Sequence, residues 1–170
     1  MRLALPLLVL LVLAPLPALA EPAPTPLEVQ KVLDFYYGPQ TASPILVQSL
    51  ICRDVVAEGE KKNQCSESVA PDALHVGEAG YLWLNFMVPR ESGPQKILVQ
   101  FEHGGTTRMT RQIEVGSAIR YRTWKRFELD RPGEWSVKIL HDRSDGVQAL
   151  QTLKLAAQPP EVAALEAARP

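Results

Sequence analysis

Beyond Pro44 the chain alternates apolar and polar residues with a period of two. KILVQFEH sets Ile97, Val99 and Phe101 on one face and Gln100 and Glu102 on the other. EWSVKIL does the same with Trp135, Val137 and Ile139, which predicts half-buried strands. ILVQSLIC reads as a strand entering a core. YLWLNFMV, from Tyr81 to Val88, is apolar at almost every position and predicts a central strand covered on both faces. MTRQIEV, IRYRTW, KRFEL and VQALQTLKL complete the set. In the last, Val147, Ala149 and Gln151 oppose Leu150, and the register blurs near Leu153. Gly104-Gly105 is a tight hairpin signal, and Gly116-Ser117, Asp130 to Gly133 and Asp142 to Gly146 supply further turns. About seven or eight short strands, with turns every eight to twelve residues or so, predict an all-β fold. The expected architecture is an antiparallel, immunoglobulin-like β-sandwich over residues 44–157. No helical pattern separates the strands, which argues against an α/β fold; a closed barrel is the structural alternative.

Before Pro44 the pattern is different. EPAPTP is a proline-rich linker, and LEVQKVLDFYY follows with helix punctuation. Thr25 is a good N-cap, Pro26 suits the first helical position, and Glu28 completes a capping box. Val29, Val32, Leu33 and Tyr36 fall on one face, which must pack on the main domain, and Gly38-Pro39 supplies the stop. Residues 21–43 are therefore a linker and one short amphipathic helix. Further upstream, Met1-Arg2, the apolar Leu3–Leu16 and Ala18-Leu19-Ala20 give the three regions of a secretory signal peptide, expected over residues 1–20. The rival is a membrane anchor, against which stand Pro6, Pro15, Pro17 and a length short of the ~20 residues a span needs. No cysteine stands at the cleavage site, so a lipid anchor is not expected. Residues 158–170 are read as a mobile tail, because Val162 and Leu165 can bury little surface.

Charge and cysteine content narrow the reading. The chain has 170 residues and a formal net charge of −1, so no global field draws in nucleic acid or acidic lipid. Cys52 and Cys65 form an even pair in a chain that reads as exported, which predicts a disulfide. Closing a loop of about 14 residues stabilises by roughly 3 kcal/mol in the chain-entropy account. A redox pair normally has C-x-x-C spacing, which is absent here.

The titratable residues offer little to catalysis or metal binding. His75, His103 and His141 lie near predicted loops or strand ends, read as surface residues, and have no second ligand at metal spacing. His103-Gly104-Gly105 resembles an oxyanion loop, but no G-x-S-x-G elbow follows, so it reads as a turn. Glu58 and Glu60 share the cysteine loop, and Asp142 and Asp145 share a turn without calcium-loop spacing. No Walker loop or dinucleotide fingerprint is present. The expectation is no catalytic residue, no metal and no cofactor.

One stretch stands out against this background. In IRYRTW, Ile119, Tyr121 and Thr123 share one face, and Arg120, Arg122 and Trp124 the other. Lys125 and Arg126 extend the charge, and Arg108 and Arg111 on the preceding strand could sit beside Arg120 or Arg122. Arg108, Arg111, Arg120, Arg122, Trp124 and Lys125 are therefore the candidate binding residues, on a basic sheet face edged by an aromatic. The bland alternative is a solvated face on which Glu102, Glu114 and Glu128 pair with the arginines to little effect. Trp135 alternates with core positions; Trp124 does not.

The segment from about Leu46 to Leu155 resembles a bacterial exported domain, the domain of unknown function 2914 family. The resemblance rests on CRDV, on KILVQFEHGG with TRMTRQIEV, on Arg122-Thr123-Trp124, and on the closing GEWSVKIL with Gly133, Trp135, Val137 and Gly146. The cysteine loop is longer than that family's. The resemblance implies a β-sandwich and no established activity, catalytic residue or cofactor.

The function expected is that of a non-catalytic periplasmic or secreted binding module, engaging a protein or an envelope polymer and no nucleic acid. The alternatives are a hydrolytic or carbohydrate-active enzyme, and an accessory subunit that docks through the N-terminal helix.

Overall fold

A computed structural model describes residues 23–38 and 43–160. The expected signal peptide and most of the expected tail lie outside the described residues. Helix α1, Pro26–Tyr37, starts as its punctuation predicts. The Thr25 hydroxyl accepts from the Glu28 amide at 3.3 Å, and the Glu28 carboxylate accepts from the Thr25 amide at 2.6 Å. At the other end the Gly38 amide donates to the Asp34 carbonyl, and a Cβ on Gly38 would collide with that oxygen.

The predicted inner face of α1 is corrected. The part-buried positions are Glu28, Lys31, Val32 and Phe35, while Val29, Leu33 and Tyr36 face solvent. Helix α1 packs on the first strand, and Phe35 rather than Leu33 is its better-buried apolar anchor. Burial lowers the Lys31 pKa, partly offset by Glu28.

Among the described residues nine strands follow: β1 Ile45–Val55, β2 Cys65–Ser68, β3 Leu74–His75, β4 Ala79–Val88, β5 Gln95–His103, β6 Thr106–Val115, β7 Ala118–Glu128, β8 Gly133–Arg143 and β9 Gly146–Gln158. They form two sheets, ordered β2-β1-β4-β7 and β3-β9-β8-β5-β6. The all-β sandwich expected from the alternation is the observed fold. Its strand list differs in three ways. IRYRTW and KRFEL are one strand, β7. The short strands β2 and β3 carry no periodic signal. The β3–β9 contact is parallel, unlike every other pairing.

The core lies between the sheets. Leu82, Leu84, Phe86 and Phe127 come from one sheet, and Ile97, Val99, Phe101, Trp135, Val137 and Ile139 from the other. Phe101 and Phe127 meet across the layer at 4.9 Å between ring centroids. Strand β4 is central, as its two-sided apolar pattern requires. Gly104 and Gly105 (φ 57° and 76°) form the predicted two-residue hairpin between the paired His103 and Thr106. Trp135 is buried, and its indole donates to the Arg131 carbonyl at 3.0 Å.

Candidate interaction surface

The register of β4 against β7 sorts the predicted residues by face. Tyr81 stands opposite Arg126, Leu82 opposite Lys125, Trp83 opposite Trp124, Leu84 opposite Thr123 and Asn85 opposite Arg122. Leu82 and Leu84 are core residues, so Lys125 and Thr123 stand on the inner side of the sheet. Arg122, Trp124 and Arg126 stand on the outer side with Tyr81, Trp83 and Asn85. Lys125 is thus corrected as a member of the arginine face, and Arg126 takes its place. A bulge between Phe86 and Val88 interrupts the ladder at Ile119 and Arg120, and both are exposed.

Arg108 and Arg111 do not join this face. They belong to β6, the edge of the five-stranded sheet, whereas β7 is the edge of the four-stranded one. The turn at Gly116-Ser117 crosses between the sheets instead of closing a hairpin. The Ser117 hydroxyl donates to the carbonyls of Pro89 and Arg90, at 3.1 Å to each, which ties the crossing to the end of β4. A two-residue turn read from sequence does not say whether the next strand pairs or changes layer.

The disulfide Cys52–Cys65 is formed and links β1 to β2. The intervening loop folds over the outer side of the four-stranded sheet. The Asn63 amide donates to the Val56 carbonyl at 2.8 Å, and the Val56 amide to the Gln64 carbonyl at 2.9 Å. Asn63 adopts φ 59°, a region asparagine tolerates better than most residues. There it receives both outer tryptophans. The Trp83 indole donates to the Asn63 carbonyl at 2.7 Å, and the Trp124 indole to Asn63 Oδ1 at 3.3 Å. Tyr81 stacks edge-on against Trp124 at 5.3 Å. Cys52, Val55 and Trp83 are buried, with Leu50, Cys65, Tyr81 and Trp124 packed around them. This second small core is apolar toward the loop and cationic toward the β7 edge. Asn63 and Trp83 were missed from sequence. The signal available was that Tyr81 and Trp83 alternate with the core residues Leu82 and Leu84, so something had to cover them.

Arg126 and Glu128 approach at 3.9 Å with 61% and 54% of their side chains exposed, a geometry that contributes little. Glu102, expected as a partner for the arginines, instead pairs with Lys138 at 2.8 Å on the other sheet.

The histidines hold structure together. His75 bonds to the Pro159 carbonyl at 3.0 Å, and His103 to the Pro132 carbonyl at 3.1 Å while stacking on Trp135. His141 corrects the expectation of a surface residue: it is 3% exposed. It extends the Trp135, Val137, Ile139 face by one more alternation. Its Nε2 meets Gln95 Oε1 at 2.8 Å, and the Gln95 amide nitrogen donates to the carbonyls of Ser92 and Gly93. That network places the neutral imidazole proton on Nε2. Burial, then the Arg143 charge, hold the His141 pKa below its ordinary value, with Asp142 and Asp145 opposing.

No family model matches the chain, and no curated protein does. Among solved structures the chain is similar to the crystal structure of the CARDB domain of the PF1109 protein of Pyrococcus furiosus, in complex with di-metal ions. The identity is 13% and the TM-score 0.37, over 52% of this chain and 81% of that one.

Proposed function

We propose that this protein is a non-catalytic, exported interaction module. It engages a protein or envelope component through the outer side of β7, where Arg122 and Arg126 flank Trp124. The observation that carries this reading is the anchoring of Trp83 and Trp124 by Asn63. Trp124 is held at fixed orientation beside a cationic edge, backed by the buried Trp83, so the surface is pre-organised and binding need not pay the entropy of ordering it. The disulfide is consistent with export.

The test is capture from an envelope fraction with the wild-type protein beside Arg120→Glu/Arg126→Glu. Both positions are exposed, so the melting temperature should hold. Retention by wild type and loss by the variant is the expected result; equal retention by both overturns the reading. Trp124→Ala is a poor probe, because it also removes contacts to Tyr81 and Asn63 and would lower stability by itself.

A second reading, docking through α1, is favoured by one observation. Leu27, Val29, Leu33, Tyr36 and Tyr37 are 64%, 45%, 45%, 51% and 85% exposed on that helix. Leu33→Glu/Tyr36→Glu, carried through the same capture, abolishes retention if the helix is the docking element and leaves it intact if β7 is.

A further inference from the structure

The four sheet edges are not alike. On one side of the sandwich β2 has four residues and two register shifts, and β3 has two residues. Those two strands are too short and irregular to template another strand; β3 covers only Ala157 and Gln158 of β9, and the edge of β9 left open beyond it is bent by a register shift opposite Ile139 and Leu140. On the other side β6 has ten residues, with one shift and mixed charge at Arg108, Arg111 and Glu114. Strand β7 has eleven residues, and its ladder to β4 is unbroken from Tyr121 to Glu128. Among the described residues β7 pairs with β4 alone. Every second residue of β7 therefore turns its N–H and C=O toward the open side.

Side-chain order decides what fits there. The outer side of β7 reads Arg122, Trp124, Arg126 and Glu128 at successive alternate positions, with the last two 3.9 Å apart. An antiparallel copy of β7 centred on Trp124 would set Arg122 against Arg126 of the copy at both ends, and like charges directly opposite are destabilising. That register therefore disfavours a second copy of the edge. A strand carrying an acid, an apolar residue and an acid at alternate positions meets Arg122, Trp124 and Arg126 each with its complement.

We propose that the open edge of β7 is a strand-addition site for an extended acidic segment of a partner protein, with the pattern acid-x-apolar-x-acid. Main-chain hydrogen bonds to β7 supply the affinity, and Arg122, Trp124 and Arg126 set register and specificity. This rests on the interaction-module reading above and names the partner chemistry of the same surface.

The probe is a fluorescent twelve-residue peptide with Glu-Thr-Val-Thr-Glu at its centre, titrated against the disulfide-intact protein. Beside it run a Lys-Thr-Val-Thr-Lys version and an acidic version N-methylated at alternate central residues. The acidic peptide should bind and should slow amide exchange within 121–127. The lysine version should not bind, and the N-methylated version should bind about tenfold more weakly or worse. Arg126→Glu should weaken the acidic peptide and improve the lysine one. Equal binding of the N-methylated peptide, or no binding of the acidic one, overturns strand addition. If envelope capture still depends on Arg120 and Arg126 in that case, the interaction-module reading survives; if capture is also insensitive, both fall.

Discussion

Asn63 and His141 carry more than their places in the sequence announce. Asn63 sits inside a charged loop, yet its carbonyl and side-chain oxygen serve the two outer tryptophans. Asn63→Ala removes one acceptor and forces an alanine into a left-handed conformation, so it should destabilise by about 1–2 kcal/mol. Asn63→Gly keeps the backbone unstrained and should cost less. Denaturant titration of the two variants checks the order, and equal losses would mean that the φ of 59° is not the constraint. His141 predicts a pH dependence with a definite sign. Its folded pKa lies below the ordinary 6.5 of the unfolded chain, chiefly through burial. The unfolded state therefore takes up the proton first. The stability held by neutral His141 is present above pH 6.5 and is lost as pH falls from there through the folded value. His141→Gln should flatten that fall in thermal melts between about pH 7 and 5. An unchanged slope would assign it to other groups.

At the scale of elements, what could be read from sequence depended on how local the cause was. The capping box of α1, the Gly104-Gly105 hairpin and the alternation of β5 and β8 are decided by neighbouring residues, and all are present. The inner face of α1 was not decided locally. Val32 belongs to the expected stripe with Val29, Leu33 and Tyr36 and to the observed one with Phe35, and docking on β1 selects between them. Phe35→Ala should cost about 1–2 kcal/mol and Leu33→Ala under about 0.5 kcal/mol, read from chemical denaturation. The reverse order would restore the face expected from the helical period. The cysteine loop is a second case. Pairing of Cys52 with Cys65 followed from composition and context, but not the role of their loop as a cover for Trp83. Cys52→Ser/Cys65→Ser should lose roughly 3 kcal/mol. It should also shift tryptophan emission to the red, because the loop no longer shields Trp83. Lost stability with an unshifted spectrum would show that the loop stays in place without its covalent tie.

For the molecule as a whole, the two-layer sandwich was legible because buried faces alternate along β5 and β8 and β4 is apolar on both sides. Pairing across layers was not. Nothing in Gly116-Ser117 says that β6 and β7 part company, and the predicted face carrying Arg108 and Arg111 beside Arg120 and Arg122 failed for that reason. What the fold yields instead is a smaller surface at the β7 edge, backed by two tryptophans that a disulfide-closed loop holds in place. The claim that this edge is where a partner binds is met most directly by hydrogen exchange on the protein alone and on its captured complex. The account predicts slowed amides across Ala118–Glu128 and around Asn63, with α1 unchanged. Protection confined to Leu27 through Tyr37, with β7 exchanging as in the free protein, would contradict it.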